Sequence, residues 1–490
     1  MRRYVLLVMF LCIGVSAWSA PTASKSAPNQ KAKPSSKTMP VTTASPQARD
    51  LFEKGMQDYE NLYLDQSTQD WRDAAAADPN FALAHAWVAF NSNNPAEVTA
   101  ERENAKALAA AVTPGEQLMI KWIVDVQENR FVSGIAAMND MLAMYPKDKR
   151  LLYLAANWLM AENDNERARV LLQRALRLDK DYPAALNDLA YSYAREGIFP
   201  PAFEAMERYI KVLPHEPNPQ DSYAEILRLS GNFEAALEHY RAALKIDPSF
   251  HSSQVGLGDT YALMGNQQQA RIEYQKAIDA DPNETNRVNE ALQSAMTWVR
   301  EDKPEEADKA FLDVAEQARS KGLNLFAARA HRFMAIYQAD DKVALNHLEQ
   351  AEGALSHKDI SELDRQEEKA RIFRLRVSRA IASGNQRLAA KTLHQLETMA
   401  KDSRSTVILQ CYHSAAGSLQ MAQQKYQEAI SNLQEDPNDP FSLELLSRAY
   451  HATGAMQDLH TAQSKLRSIN TPTLEQAVVV VPARAKRPVY

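Results

Sequence analysis

Glycine is scarce, with 14 in 490 residues, and no stretch of the body alternates apolar with polar residues as a half-buried strand would. That pattern excludes a sheet-based fold and leaves helices. Cysteine is scarcer still, at two residues, Cys12 and Cys411. Cys12 lies in an amino-terminal apolar run, so once that run is removed no intramolecular disulfide can form, and Cys411 reads as a buried small residue or a single reactive thiol. The sequence contains no HExxH, GxxxxGK[ST], GxSxG or CxxC, and its 11 histidines are scattered. Those gaps remove the usual metal-hydrolase, phosphate-loop, serine-hydrolase and redox readings, and neither a cofactor nor a small-molecule substrate is expected. Basic residues are in deficit, 56 against 62 acidic, for a net charge of −6.

Both ends differ from the body. Arg2 and Arg3 precede an apolar run of 14 residues from Tyr4 to Ala17, followed by small residues. This is the pattern of a secretory signal peptide, and it is shorter than the roughly 20 residues of a membrane helix. Residues 1–19 are therefore expected to be removed on export, placing the chain in the periplasm or outside the cell, with membrane contact only if the signal is retained. Residues 20–46 contain Pro, Ser, Thr, Ala and Lys and no acidic residue, the composition of a disordered tether. Six positive charges leave with these segments, which takes the net charge from −6 to −12 for the remainder. An acidic body argues against nucleic acid as a partner. At the other end, 471–490 reads as a disordered basic tail carrying the run Val478 to Val481. Strand addition to a partner's sheet edge, or folding back onto an acidic groove, are its two ordered alternatives.

Between the ends the chain repeats. Pro214, Pro248 and Pro282 recur every 34 residues, as do Gly197, Gly231 and Gly265, then Ala202, Ala236 and Ala270, then Met206, Tyr240 and Tyr274. Each position has a physical role. The glycine permits the turn between two helices, the alanine marks their closest crossing, the tyrosine fills the gap to the next unit, and the proline stops the second helix. The unit extends outward with substitutions, Asn163 standing at the turn-glycine position and Lys180 at the proline position. About a dozen helix pairs in a row are expected, each burying its apolar faces against its neighbours.

"DSYAEILRLSGNFEAALEHYRAALKIDP" and "GLGDTYALMGNQQQARIEYQKAIDADP" resemble the tetratricopeptide repeat. The resemblance implies an all-α, right-handed solenoid of stacked antiparallel helix pairs. It is most regular over 149–282, within a first array at 47–355. Gly353, Ser356, His357, Lys358 and Asp359 then suggest a break before a second array at 356–470.

The resemblance also implies that the first helix of each pair lines a concave groove that holds peptide segments. The lining positions, transferred one at a time, include Arg150, Tyr153 and Asn157, then Asn187 and Tyr191, then Asp221, Glu225 and Arg228, then Asp259. Apart from the two arginines the lining is neutral or acidic, which departs from the subclass that clamps an acidic carboxy terminus and favours a neutral or basic segment. Tyr153 and Tyr191 offer flat contact area, and Asn157 and Asn187 offer bonds to backbone amides. The function expected is a non-enzymatic exported scaffold or adaptor that binds protein segments. A chaperone-like or substrate-binding accessory of an envelope enzyme or secretion system is the alternative.

Overall fold

The computed structural model describes residues 38–485 except 62, 93, 129, 359 and 402. The signal-peptide reading of 1–19 and the tether from 20 to 37 lie outside the described residues. Within them, 25 α-helices follow one another and no strand occurs. The first 24 form successive hairpins from Pro46–Glu60 with Leu64–Ala77 to Pro440–Thr453 with Met456–Ser468, the all-helical repeat architecture the 34-residue period implies.

Local chemistry sets the element ends. Proline opens helices at Pro46, Pro95, Pro114, Pro183, Pro217, Pro304 and Pro440, where its missing N–H costs nothing. Gly197, Gly231 and Gly265 adopt φ of 74°, 87° and 87°, and Asn163, one period earlier, adopts 60°. The hairpin turn requires a left-handed residue at this position, and asparagine is the non-glycine side chain that tolerates it best.

Packing follows the same register. Ala168, Ala202, Ala236 and Ala270 are fully buried at the helix crossings. Tyr240 reaches the next hairpin, where a Cβ at position 256 would lie inside its ring contacts, and Tyr274 packs on Gly258, whose added Cβ would stand 2.6 Å from Tyr274 Cε1. Close approach therefore explains two of the few glycines.

The described chain divides after Pro214 into one compact unit of residues 38–214 and another of 215–485. The expected break near 356 is not where the division falls. Ala354, Leu355 and Ile360 are buried in a single core that runs from Val288 to Leu474, so burial is continuous through that turn.

Two expectations about the ends are corrected. Residues 38–45, assigned above to the tether, are bound along the first unit: Met39 N donates to Asp148 Oδ2 at 2.8 Å, Thr42 N to Glu116 Oε1 at 2.6 Å, and Ala44 N to Asp78 Oδ2 at 3.3 Å. Carboxylates near the ends of three separate helices accept from its backbone, which composition alone does not reveal. The carboxy-terminal tail is also ordered through Ala485. A π-helical turn, Gln476–Val480, leads into the helix Val481–Ala485, and Leu474, Gln476 and Val480 are fully buried. The valine run is thus helical, and its apolar side chains are what hold it in the repeat core. No described helix is long and apolar enough to cross a membrane.

Candidate peptide groove

In the first unit the predicted lining residues converge on a group absent from the sequence-based lining, the buried carboxyl of Asp188. Asn157 Nδ2 donates to Asp188 Oδ2 at 3.0 Å and Asn187 Nδ2 to Asp188 Oδ1 at 3.1 Å, with the Tyr153 hydroxyl also directed at it. Burial raises the Asp188 carboxyl, while Asn157, Asn187, Arg195 and Tyr153 act to lower it. Tyr153 stacks edge-on against Tyr182 with ring centroids 5.8 Å apart, and Tyr191 sits half-buried one turn beyond Asn187. Arg150, a further lining position, is taken by Glu53 and Glu60 of the opening helix at 2.7 and 2.6 Å. Side chains expected to meet a peptide therefore meet the protein itself. A signal was present: Asn187 and Asp188 are adjacent polar residues in the mainly apolar helix Pro183–Ala194.

In the second unit Asp221, Glu225, Arg228 and Asp259 form an ionic cluster. The Arg228 guanidinium is 3.7 Å from Glu225 Oε1 and 3.8 Å from Asp259 Oδ2, Ser253 Oγ donates to Asp221 Oδ1 at 2.8 Å, and the Tyr274 hydroxyl donates to Asp259 Oδ1 at 2.7 Å. Asp221 and Arg228 are buried, and Glu225 is the most exposed of the four. Burial opposes the charge on Arg228, but Tyr240, Asp259 and Glu225 outweigh it and hold the guanidinium charged. Burial raises the Asp259 carboxyl against the pull of Arg228.

The carboxy-terminal segment crosses this unit on the side formed by the first helices. Asn470 Nδ2 donates to Leu229 O at 3.0 Å; Arg300, at the end of the helix Glu284–Arg300, donates to Thr473 O at 3.0 Å and to Gln476 Oε1 at 2.6 Å. Arg484 closes the segment on itself, reaching Ile469 O at 2.9 Å and Asn470 Oδ1 at 2.7 Å. Beneath Thr473, Leu474 and Glu475 lies a cavity of about 340 Å³ whose helical walls, among them Met296, Phe333, Leu375 and Cys411, all belong to first helices. Glu368, fully buried near it, would lose its charge to burial, but Arg332, Arg371 and Arg329 hold its carboxyl below the usual range. Burial pushes the Cys411 thiol up to about 11, so it remains protonated and packs as an apolar group. A second cleft, of about 680 Å³, opens between the last hairpin and Val478, Val479, Pro482 and Ala483. The inner face of this unit therefore holds a mainly apolar segment by buried side chains and by donors directed at its backbone.

Family models give the same period an independent frame. Residues 153–221 and 251–284 match tetratricopeptide repeat models and 224–265 a TPR repeat model. Over 153–284 the chain therefore carries tetratricopeptide repeats. Among solved structures it is similar to a tetratricopeptide repeat protein from Parabacteroides merdae, with 13% identity over 63% of this chain and 99% of that one and a TM-score of 0.35. It is also similar to YrrB, described as a TPR protein with an unusual peptide-binding site, with 17% identity over 39% and 98% and a TM-score of 0.29. A third is MamA from Desulfovibrio magneticus, with 22% identity over 35% and 96% and a TM-score of 0.30. No curated protein matches the chain in sequence.

Proposed function

We propose that this protein is an exported, non-enzymatic scaffold that holds protein segments on the inner face of residues 215–485, and that its own carboxy-terminal segment occupies this face until a partner displaces it. The observation that carries the reading is the Arg300 fork on Thr473 O and Gln476 Oε1 above the buried Leu474. Donors to a backbone carbonyl read the path of a chain, and a cavity of about 340 Å³ beneath it reads one apolar side chain. The described occupant, Asn470 to Ala485, carries one Glu and one Arg, so the partner this reading calls for is a neutral segment. Export follows from the leader composition of residues 1–19.

The test uses a labelled peptide with the sequence of 470–485, added to the mature chain and to a version ending at 470. Saturable binding to the shortened chain, weak binding to the full one, and loss of binding on Arg300→Ala support the proposal. A shortened chain that keeps its helical circular dichroism yet binds no peptide overturns it.

A further inference from the structure

Three chemically matched side chains from two adjacent repeats meet in the second unit. His251 opens the helix His251–Leu263, Asp281 follows the helix Gln267–Ala280, and Glu290 lies within Glu284–Arg300. One ligand atom from each lies within 4.8 Å of the other two. His251 Nε2 is 3.0 Å from Asp281 Oδ2 and in direct contact with a Glu290 carboxylate oxygen. The side chains of Asp281 and Glu290 are 5% and 4% exposed, and Glu290 Oε2 is buried with no hydrogen-bond partner. A carboxylate this deeply buried with one oxygen unmatched is costly unless something positive sits against it.

The surroundings resemble an outer shell. Asn283 N donates to Asp281 Oδ1 at 2.6 Å and Asn286 Nδ2 to Asp281 Oδ2 at 3.0 Å, which fixes the carboxylate plane. An imidazole and two carboxylates suit a borderline dication, which takes such ligands at about 2.0–2.2 Å and leaves a fourth position for water.

We propose that His251, Asp281 and Glu290 bind a divalent ion of the zinc class, which ties one repeat to the next. The three ligands come from a first helix, the following inter-repeat turn and the next first helix, so a bound ion fixes how adjacent hairpins stack. No disulfide does this among the described residues, where Cys411 is the one cysteine. Because the bound ion favours the folded repeats over the open ones, stability should rise with ion concentration.

The experiment strips the full-length mature chain with a chelator and titrates it with Zn²⁺ by calorimetry and thermal melting, then with Co²⁺ by visible absorption. Expected are one ion per chain, a melting temperature that rises with added Zn²⁺, and a Co²⁺ spectrum of low coordination number. Glu290→Gln should abolish all three, and Asn286→Ala, which leaves the ligands in place, should weaken binding by about 10–100-fold. Absence of 1:1 binding in wild type, or unchanged binding in Glu290→Gln, overturns the proposal and leaves the cluster as a histidine bridging two acids. Should Glu290→Gln fail to fold, the Asn286→Ala affinity decides between the two.

Discussion

Arg300 and Thr473 are 173 residues apart and share a hydrogen bond of 3.0 Å from guanidinium Nη2 to the backbone carbonyl. Nothing in the repeat period calls for that contact, because it joins the end of one repeat's first helix to a segment beyond the last repeat. It makes the tail part of the fold.

Arg300→Ala removes that bond and the one to Gln476 while leaving Leu474 and Val480 in their apolar sites. Hydrogen bonds to a charged group contribute about 1.5–3 kcal/mol each, and the loss should fall on the tail and not on the array. Amide exchange over 473–482 should accelerate while exchange in the helix Glu284–Arg300 stays unchanged. Equal acceleration in both would mean that the tail and the repeats open as one unit.

Crossing positions separate from tail positions in a packing test. Ala236 is fully buried at a helix crossing, and Gly256 faces the Tyr240 ring. Ala236→Leu and Gly256→Ala should each cost about 1–3 kcal/mol by overpacking, and Tyr240→Ala about 3–5 kcal/mol by leaving a cavity. Thermal unfolding followed by circular dichroism measures all three. A Gly256→Ala variant as stable as wild type would mean that the Tyr240 ring can move aside at no cost.

The repeats were legible because every contact that defines them is local. Tyr240 meets Gly256 in the next helix and Gly231 serves its own hairpin turn, so their identities recur with the chain period, and even Asn163 keeps the left-handed turn of the glycine it replaces. The tail left no such trace. Its partners Leu229, Arg300 and Arg332 lie across the unit, and composition reads a run of valines ending in basic residues as disordered. The groove positions sit on the helices that the resemblance assigned, yet exposure does not follow from position: Asn157 and Asn187 are spent on Asp188, and Arg228 on Asp259 and Glu225. The histidine cluster was hidden for a related reason. One period beyond His251 falls at Thr285, between Asp281 and Glu290, so the three meet by stacking although no short motif joins them.

That burial divides charge reversals at the ionic cluster into two kinds. Glu225, whose side chain is 38% exposed, should tolerate Lys with little loss of helicity, since its contact with Arg228 spans 3.7 Å. Asp221→Lys should unfold the neighbouring hairpins, because it places an ammonium in a buried site that now accepts from Ser253. Circular dichroism of the two variants decides the matter, and equal melting curves would show that Asp221 is not held as described.

Acidity should affect the last repeats through Asp436. Burial, then the neighbouring Asp439, pushes its carboxyl up to about 7, while Arg374 and the Ser442 hydroxyl act to lower it. An unfolded aspartate releases its proton near pH 3.9, so between about pH 4 and 7 the folded chain holds a proton that the unfolded chain has lost. Stability contributed by this group is complete at the acid end of that window and falls as pH rises, by at most about 1.4 kcal/mol per pH unit, levelling off once the folded group also ionises. Asp436→Asn keeps an acceptor for Ser442, whose Oγ lies 3.0 Å from Asp436 Oδ2, and takes the proton out of the balance. Amide exchange in the helix Pro440–Thr453, compared at pH 5.5 and 7.5, should show wild type losing protection relative to the variant as pH rises. Parallel behaviour of the two would mean that Asp436 is already ionised in the folded chain, with Arg374 outweighing both burial and Asp439.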